Sequence, residues 1–278
     1  MKIGAMTTCF RKPFRESLEI CSKLGVDGVQ IWATNLTYYF PDHPVGELDP
    51  DTLTETGRQD LLATLKRLGL EISALCGDLG RGFTKPDHLE EDIAKIKRMM
   101  DMARSLGVTV LTTHIGVVPE DPNAPEYKRL QQVLGEIGAY GDQVGVTFAN
   151  ETGPESGATL AGLLRTLKAQ SLKANYDPAN LIMSGFDPMQ GVYDLRDYIV
   201  HTHAKDATGK VRGANEVPLG AGEVPWPKYL QALHEIGYRG YLTIEREVGE
   251  NPSQDIITAA QFLREQLRAL GIERQVKR

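Results

Sequence analysis

The chain has 278 residues, 41% of them hydrophobic and 24% charged, an ordinary balance for a soluble globular protein. That length can bury a large core without disulfides or structural metals, and a net charge of −6 argues against nucleic acid or an anionic membrane as the main partner. Three cysteines (Cys9, Cys21 and Cys76) form no CxxC pair, so no disulfide framework is expected and a reducing, cytoplasmic setting is the default.

MKIGAMT, at the start, carries one positive charge and no long apolar run, so it reads as a strand rather than a signal peptide. KPFRESLEICSKLG follows as a helix stopped by Gly25. VDGVQIWA is the second strand, and DTLTETGRQDLLATLKRLG the next helix, with Gly69 as its stop. LEISALCG is the third strand, with a helix from about Pro86 to Gly107. VTVLTTHIG is the fourth, with a helix from about Ala124 to Val144. VTFANETG is the fifth, followed by the helix GATLAGLLRTLKAQ. LKANYDPANL is the sixth, with a short helix near Asp187 to Tyr198. YIVHTHAKD is the seventh, with a helix from about Trp226 to Gly237. GYLTIEREV is the eighth, and a last helix runs from about Ser253 to Leu270. No stretch approaches the length of a membrane-spanning helix.

Alternating strand–helix units predict a parallel sheet. Eight of them, with no linker between, fit a single (β/α)8 TIM barrel occupying residues 1–278 as one domain. The competing fold is an open doubly wound sheet, whose GxGxxG turn after the first strand is absent; that turn reads TTCFRKPF.

In a barrel the chemistry lies where strands end. Here the fourth strand ends in His114, the fifth in Asn150 and Glu151, the sixth in Asp177 with Asn180 nearby. The seventh ends in His203, Lys205 and Asp206, the eighth in Glu245, Arg246 and Glu247. The second ends in softer groups, Gln30 and Trp32. Strand alternation sorts them by face. With Val146 and Phe148 toward the helices, Glu151 points inward; by the same parity so do Asn175, Asp177, His201, His203, Lys205, Thr243, Glu245 and Glu247.

A lone glutamate at a strand end is usually a helix cap or an ion-pair partner. Four ionisable groups on four consecutive strands, Glu151, Asp177, His203 and Glu245, are not explained that way. Three carboxylates and an imidazole would resist ionising together unless a cation relieves them. The oxygen-rich set suits Mn²⁺ or Mg²⁺, with Co²⁺ acceptable, better than a thiolate-type zinc site. His201 lies one layer deeper and reads as a supporting residue. His114 is a candidate hydrogen-bonder to substrate, and Lys205, one layer above His203, another. Trp32 is either a sugar-stacking wall or packing. Arg212, in the long loop ATGKVRGANEVPLGAGEVP, either reaches over the mouth or is solvated. His43, His88 and His234 read as surface residues.

The pieces ANETG, ANYDPANL, HTHAKDA and PLGAGEVPWPKYLQALHEIGYRGYLTIERE make the chain resemble the xylose isomerase-like TIM barrels. The resemblance is to their sugar phosphate isomerase/epimerase group, which includes ketose 3-epimerases, hydroxypyruvate isomerase and inosose dehydratase, and it covers nearly the whole chain. It implies that Glu151, Asp177, His203 and Glu245 bind one divalent ion, often Mn²⁺, and that Glu151 and Glu245 are the acid/base pair. It also implies that His114 and Arg212 contact substrate. One departure stands out. Many members carry a substrate-contacting histidine after the sixth-strand aspartate, where this chain has Asn180, which can hydrogen-bond but not exchange protons near neutral pH.

The expected reaction is isomerisation or epimerisation of a keto-sugar or related polyol, by proton abstraction next to a carbonyl through a metal-stabilised enediolate. A lyase acting on an inosose or 3-keto-glycoside through the same enediolate is the alternative. An endonuclease IV-like repair enzyme is a distant one, because its three-zinc site needs more histidines than the six present. A non-catalytic sugar-binding barrel is a further rival, opposed by the intact four-ligand set. The expected partners are a small carbohydrate and further copies of the chain, as a dimer or tetramer, with no nucleic acid and no membrane.

Overall fold

Strands packed inside a barrel on one face and under helices on the other are apolar on both, and runs such as GVQIW are short and buried throughout. The computed structural model describes residues 1–34, 48–211 and 213–272. Its strands are β1 (Lys2–Met6), β2 (Gly28–Trp32), β3 (Glu71–Cys76), β4 (Val110–Thr113), β5 (Thr147–Glu151), β6 (Leu172–Tyr176), β7 (Ile199–Ala204), β8 (Asp206–Thr208), β9 (Asn215–Val217) and β10 (Tyr241–Ile244). Eight of these close into a parallel barrel in the order β1-β10-β7-β6-β5-β4-β3-β2, a (β/α)8 TIM barrel.

The helices are α1 (Phe14–Leu24), α2 (Glu55–Leu68), α3 (Leu89–Ser105), α4 (Pro125–Val144), α5 (Gly157–Arg165), α6 (Pro178–Met183), α7 (Pro188–Asp194), α8 (Trp226–Glu235) and α9 (Pro252–Ala269). Their ends follow local chemistry. Thr54 Oγ1 accepts the Gly57 N–H at 3.1 Å to start α2, and Gly69, in the left-handed region at φ 69°, stops it. Ser156 Oγ does the same for α5, accepting from Thr159 N at 3.1 Å. No helix among the described residues is long and apolar enough to cross a membrane.

The main core lies between barrel and helices. Leu111, Phe148 and Tyr176 are completely buried there, and side chains such as Leu or Phe each contribute roughly 1.5–3 kcal/mol on burial. Tyr176 stacks on Tyr229 of α8 at 6.0 Å, and Trp226 meets Tyr229 and Phe262 of α9 edge-on at 5.6 and 5.9 Å.

Helix α5 stops at Arg165, five residues short of the expected end at Gln170, and two further stretches differ from the sequence reading in kind. DPANL does not extend the sixth strand: it turns into α6 at Pro178, because Asp177 Oδ1 accepts the Ala179 and Asn180 N–H groups at 2.8 and 3.0 Å. The long loop after β7 is not featureless either. It begins as an antiparallel hairpin of β8 and β9. Its return is held by the buried Asp206 carboxylate, which accepts from Gly220 N (2.9 Å), Gly222 N (3.2 Å), Val224 N (3.1 Å) and Trp226 Nε1 (2.9 Å). A Cβ on Gly222 would sit 2.1 Å from Asp206 Oδ1, so the close approach requires glycine.

Candidate metal centre

The strand register explains how residues far apart in sequence reach one place. Glu151 pairs with Asn175, Asn175 with His201, and His203 with Thr243. Strands in a barrel tilt against its axis, so residues that meet at the mouth need not be register partners. Asp177 lies two residues beyond Asn175, the partner of Glu151, and Glu245 lies two beyond Thr243, the partner of His203, whereas Asp177 and His203 each lie two beyond the Asn175–His201 pair and stand level.

Glu151, Asp177, His203 and Glu245 each offer one ligand atom, and these atoms all lie within 4.8 Å of one another. Among the described residues no other group of His, Cys, Asp and Glu converges in this way. His203 Nδ1 stands 3.2 Å from Glu151 Oε1, 3.2 Å from Glu245 Oε2 and 3.6 Å from Asp177 Oδ2. All four residues are buried. Buried polar atoms are nearly always paired, yet Asp177 Oδ2 and His203 Nδ1 have no hydrogen-bond partner. Both face the centre of the set. Converging acids with unfilled lone pairs, beside a single imidazole nitrogen, fit one divalent cation.

The electrostatics agree. Burial pushes the His203 imidazole down, but the Glu245 and Glu151 carboxylates outweigh it and hold its pKa well above the usual range. That proton affinity reports the same negative potential a cation would meet. Burial pushes Glu151 up, and the charges of His114 and His203 bring it below its ordinary value. Glu245 is likewise raised by burial, then carried well below the carboxylate range by His203 and Lys205.

The other sequence-derived candidates take distinct places. Asn180 Nδ2 donates to Glu151 Oε1 at 3.1 Å. His114, with nearly half its side chain open to solvent, points Nε2 at Glu151 Oε1 from 3.5 Å. Glu151 is the main cause that pushes its pKa up to about 10, working against burial and aided by Asp78. Lys205 is buried between Glu245 (3.0 Å) and Glu247, with Glu216 at 3.8 Å. Burial lowers its pKa, and Glu245 and Glu247 raise it well above normal. Trp32 is almost wholly buried, its indole N–H on Met6 Sδ at 3.4 Å. His201 stands below the set, bonded to Asn175 Oδ1 at 2.8 Å; burial and the neighbouring His203 charge push its pKa well down, so it is neutral. His88 is exposed. Arg212 and His43 lie outside the described residues.

Several residues that the sequence reading left without a role belong to the neighbourhood. Asp78, two residues past β3, binds His114 Nδ1 at 2.5 Å. Glu155 is buried and pushed up to about 7, chiefly by burial, with Val118 N as a distant donor at 3.4 Å. Glu216 on β9 joins Arg246 at 2.8 Å, and Arg246 in turn joins Asp255 at 2.8 Å. An acid just past a strand end was the available signal for Asp78; Glu155 and Glu216 had none short of the folded loops.

A family model for the xylose isomerase-like TIM barrel matches residues 18–266. The chain belongs to that family. Fructoselysine 3-epimerase of Escherichia coli O157:H7 is 27% identical over 266 residues, covering 88% of this chain and 90% of that protein. Inosose dehydratase of Lacticaseibacillus casei is 25% identical over 161 residues, covering 50% of this chain and 54% of that protein. The crystal structure of a xylose isomerase domain protein from Planctomyces limnophilus superposes with a TM-score of 0.82 at 27% identity, over 97% of this chain and 98% of that one. This xylose isomerase-like barrel, with a four-residue metal-binding cluster at its mouth, is equipped for metal-dependent processing of sugars.

Proposed function

We propose that the protein is a divalent-metal-dependent isomerase or epimerase of a keto-sugar or related polyol, moving a proton on the carbon next to a carbonyl. The observation that carries this reading is the buried set of four ligand atoms within 4.8 Å, two of them without a hydrogen-bond partner. Glu151, Asp177, His203 and Glu245 would hold the ion, Mn²⁺ by preference, with Mg²⁺ and Co²⁺ suited to the same donors. When bound, the ion supplies Lewis acidity that makes the hydrogen next to a carbonyl easier to remove.

The chain's own groups do the rest. Glu151 on β5 and Glu245 beyond β10 stand three strands apart around the barrel, so they can address opposite faces of a substrate. One carboxylate removes the carbon-bound proton; the other, which must first take up a proton against its lowered affinity, delivers it to the opposite face, which inverts the centre. Lys205 steadies Glu245 from 3.0 Å. His114, fixed through Nδ1 by Asp78, offers Nε2 to a substrate oxygen. Asn180, Trp32 and Arg212 complete the proposed contacts.

The likeness to fructoselysine 3-epimerase over 88% of the chain supports the epimerase outcome and makes fructoselysine a substrate to try. The shorter likeness to inosose dehydratase supports a second reading, in which the same proton removal is followed by loss of a group from the next carbon. The enzyme is further read as one domain over residues 1–278, cytoplasmic, assembled as a dimer or tetramer, and acting on a small carbohydrate rather than nucleic acid, in keeping with its net charge of −6.

The test is metal analysis of the purified protein, then solvent-deuterium exchange followed by NMR on fructoselysine, ketohexoses, inososes and 3-keto-glycosides. Deuterium at the carbon beside the carbonyl, dependent on added Mn²⁺, is the expected result. Exchange with loss of a group selects the lyase reading. Neither metal nor exchange on any substrate overturns both.

A further inference from the structure

TIM-barrel interiors are usually filled with branched apolar side chains. Directly under this centre the interior is polar instead: Gln30, Thr112, Asn175, His201 and Thr243 are all fully buried or nearly so. Their hydrogen bonds have a direction that can be traced from the groups with only one possible role.

Asn175 Nδ2 donates to Glu151 Oε2 at 3.1 Å, since an ionised carboxylate only accepts. Its Oδ1 therefore faces His201 Nδ1 at 2.8 Å, which puts the His201 proton on Nδ1 and leaves His201 Nε2 to accept from Thr243 Oγ1 at 3.0 Å. Gln30 is fixed at its other end. Its Nε2 donates to Thr112 Oγ1 at 2.8 Å, while the Thr112 hydroxyl is itself directed at the Leu75 carbonyl at 3.4 Å. Gln30 Oε1 is thus left facing His203 Nε2 at 2.9 Å.

His203 Nε2 sits between two amides of opposite character: the Gln30 oxygen at 2.9 Å, which only accepts, and the Asn175 nitrogen at 3.2 Å, which only donates. With Gln30 present, the proton on Nε2 has an acceptor, so a ring that gives up one proton to meet a cation keeps the one on Nε2 and turns an Nδ1 lone pair to the ion. Without Gln30 the remaining neighbour is a donor, which favours a bare Nε2 and a proton on Nδ1, in the middle of the ligand set.

We propose that Gln30 is a positioning residue: it selects the His203 tautomer whose Nδ1 lone pair is available to a divalent cation. This rests on the metal-dependent reading given above. A partner on the non-ligating nitrogen of a metal-binding histidine typically matters by 10–100-fold in affinity. Gln30 supplies that partner from β2, on the other side of the barrel from β6 and β7.

The test uses the full-length protein and the metal ions alone. Calorimetric titration with Mn²⁺ should show Gln30→Leu binding about 10–100-fold more weakly than wild type, and Gln30→Glu, which keeps an acceptor at that place, within a few-fold of it. In ¹⁵N-histidine-labelled, Zn²⁺-loaded wild type, two-bond ¹⁵N–¹H correlations should find the His203 proton on Nε2. Wild-type affinity in Gln30→Leu, equal weakening in both variants, or a His203 proton on Nδ1 overturns the proposal while leaving the metal site standing. A wild type that binds neither Mn²⁺ nor Zn²⁺ overturns the functional reading, and this one with it. If Gln30→Leu does not fold, the wild-type spectrum and Gln30→Met, of similar length without an acceptor oxygen, decide the matter.

Discussion

Asp177 and Asp206 follow neighbouring strands of the same barrel, and both are buried to 1% exposure or less. Their surroundings are opposite. Asp206 is filled: three N–H groups of the returning loop and the Trp226 indole at the start of α8 converge on it, with the Ala207 N–H at 3.0 Å as a fifth. Asp177 is half filled, with Oδ1 capping α6 and Oδ2 bare among other acids. Burial of a charge therefore does not mark a site. A carboxylate whose lone pairs are all taken is a staple; one with a lone pair left over, facing its own kind, is where a ligand belongs.

The half-filled set should carry the chemistry, and breaking it should give the largest effect. Glu151→Gln and Glu245→Gln should each slow deuterium exchange into substrate by about 10²–10⁴-fold, the range of a lost general acid or base. His201→Asn, below the set, should cost far less; equal losses in initial rate across the three variants would contradict these roles.

The filled carboxylate should matter to folding instead. Asp206→Ala strands five donors, and unsatisfied buried groups cost about 1–3 kcal/mol each before water relieves some of them, so a net loss of about 3–5 kcal/mol is expected in denaturant titrations of the metal-free protein. Asp177→Asn keeps the cap on α6 and removes one of the mutually repelling charges. It should leave metal-free stability level or higher while weakening Mn²⁺ binding at least tenfold. If Asp177→Asn costs as much stability as Asp206→Ala, the distinction between the two aspartates fails.

Glu155 lies between these cases, buried against backbone donors, Val118 N at 3.4 Å among them, and should show the smallest effect because it can take up a proton. Its pKa of about 7 in the folded state exceeds the ordinary 4.5. The folded protein thus holds more protons than the unfolded one between those values, and stability falls as pH rises from 4.5 through 7. Unfolding midpoints of wild type and Glu155→Gln should match near pH 4 and separate, with the variant the more stable, up to about pH 7.5; parallel curves would show that Glu155 keeps its charge at no cost.

Much of this architecture is legible in the chain because it is written in short-range periodicities. Glycine stops and amphipathic segments mark the strand–helix units, and a period of two assigns Glu151, Asp177, His203 and Glu245 to the inward face. DPANL escaped because a side-chain cap overrides an extended reading within two residues. The β8–β9 hairpin escaped because its return depends on Asp206 gathering donors from 14 to 20 residues away.

The sequence alone determined the number of βα units, the inward parity of each strand and the kinds of ligand atom available, since each depends on neighbours a few residues apart. The tertiary structure decided the rest. Register and tilt set which inward residues stand level, the filling of lone pairs separates Asp177 from Asp206, and Gln30 meets His203 across 173 residues of chain. Such choices depend on where distant donors and acceptors are held, and only the closed barrel places them.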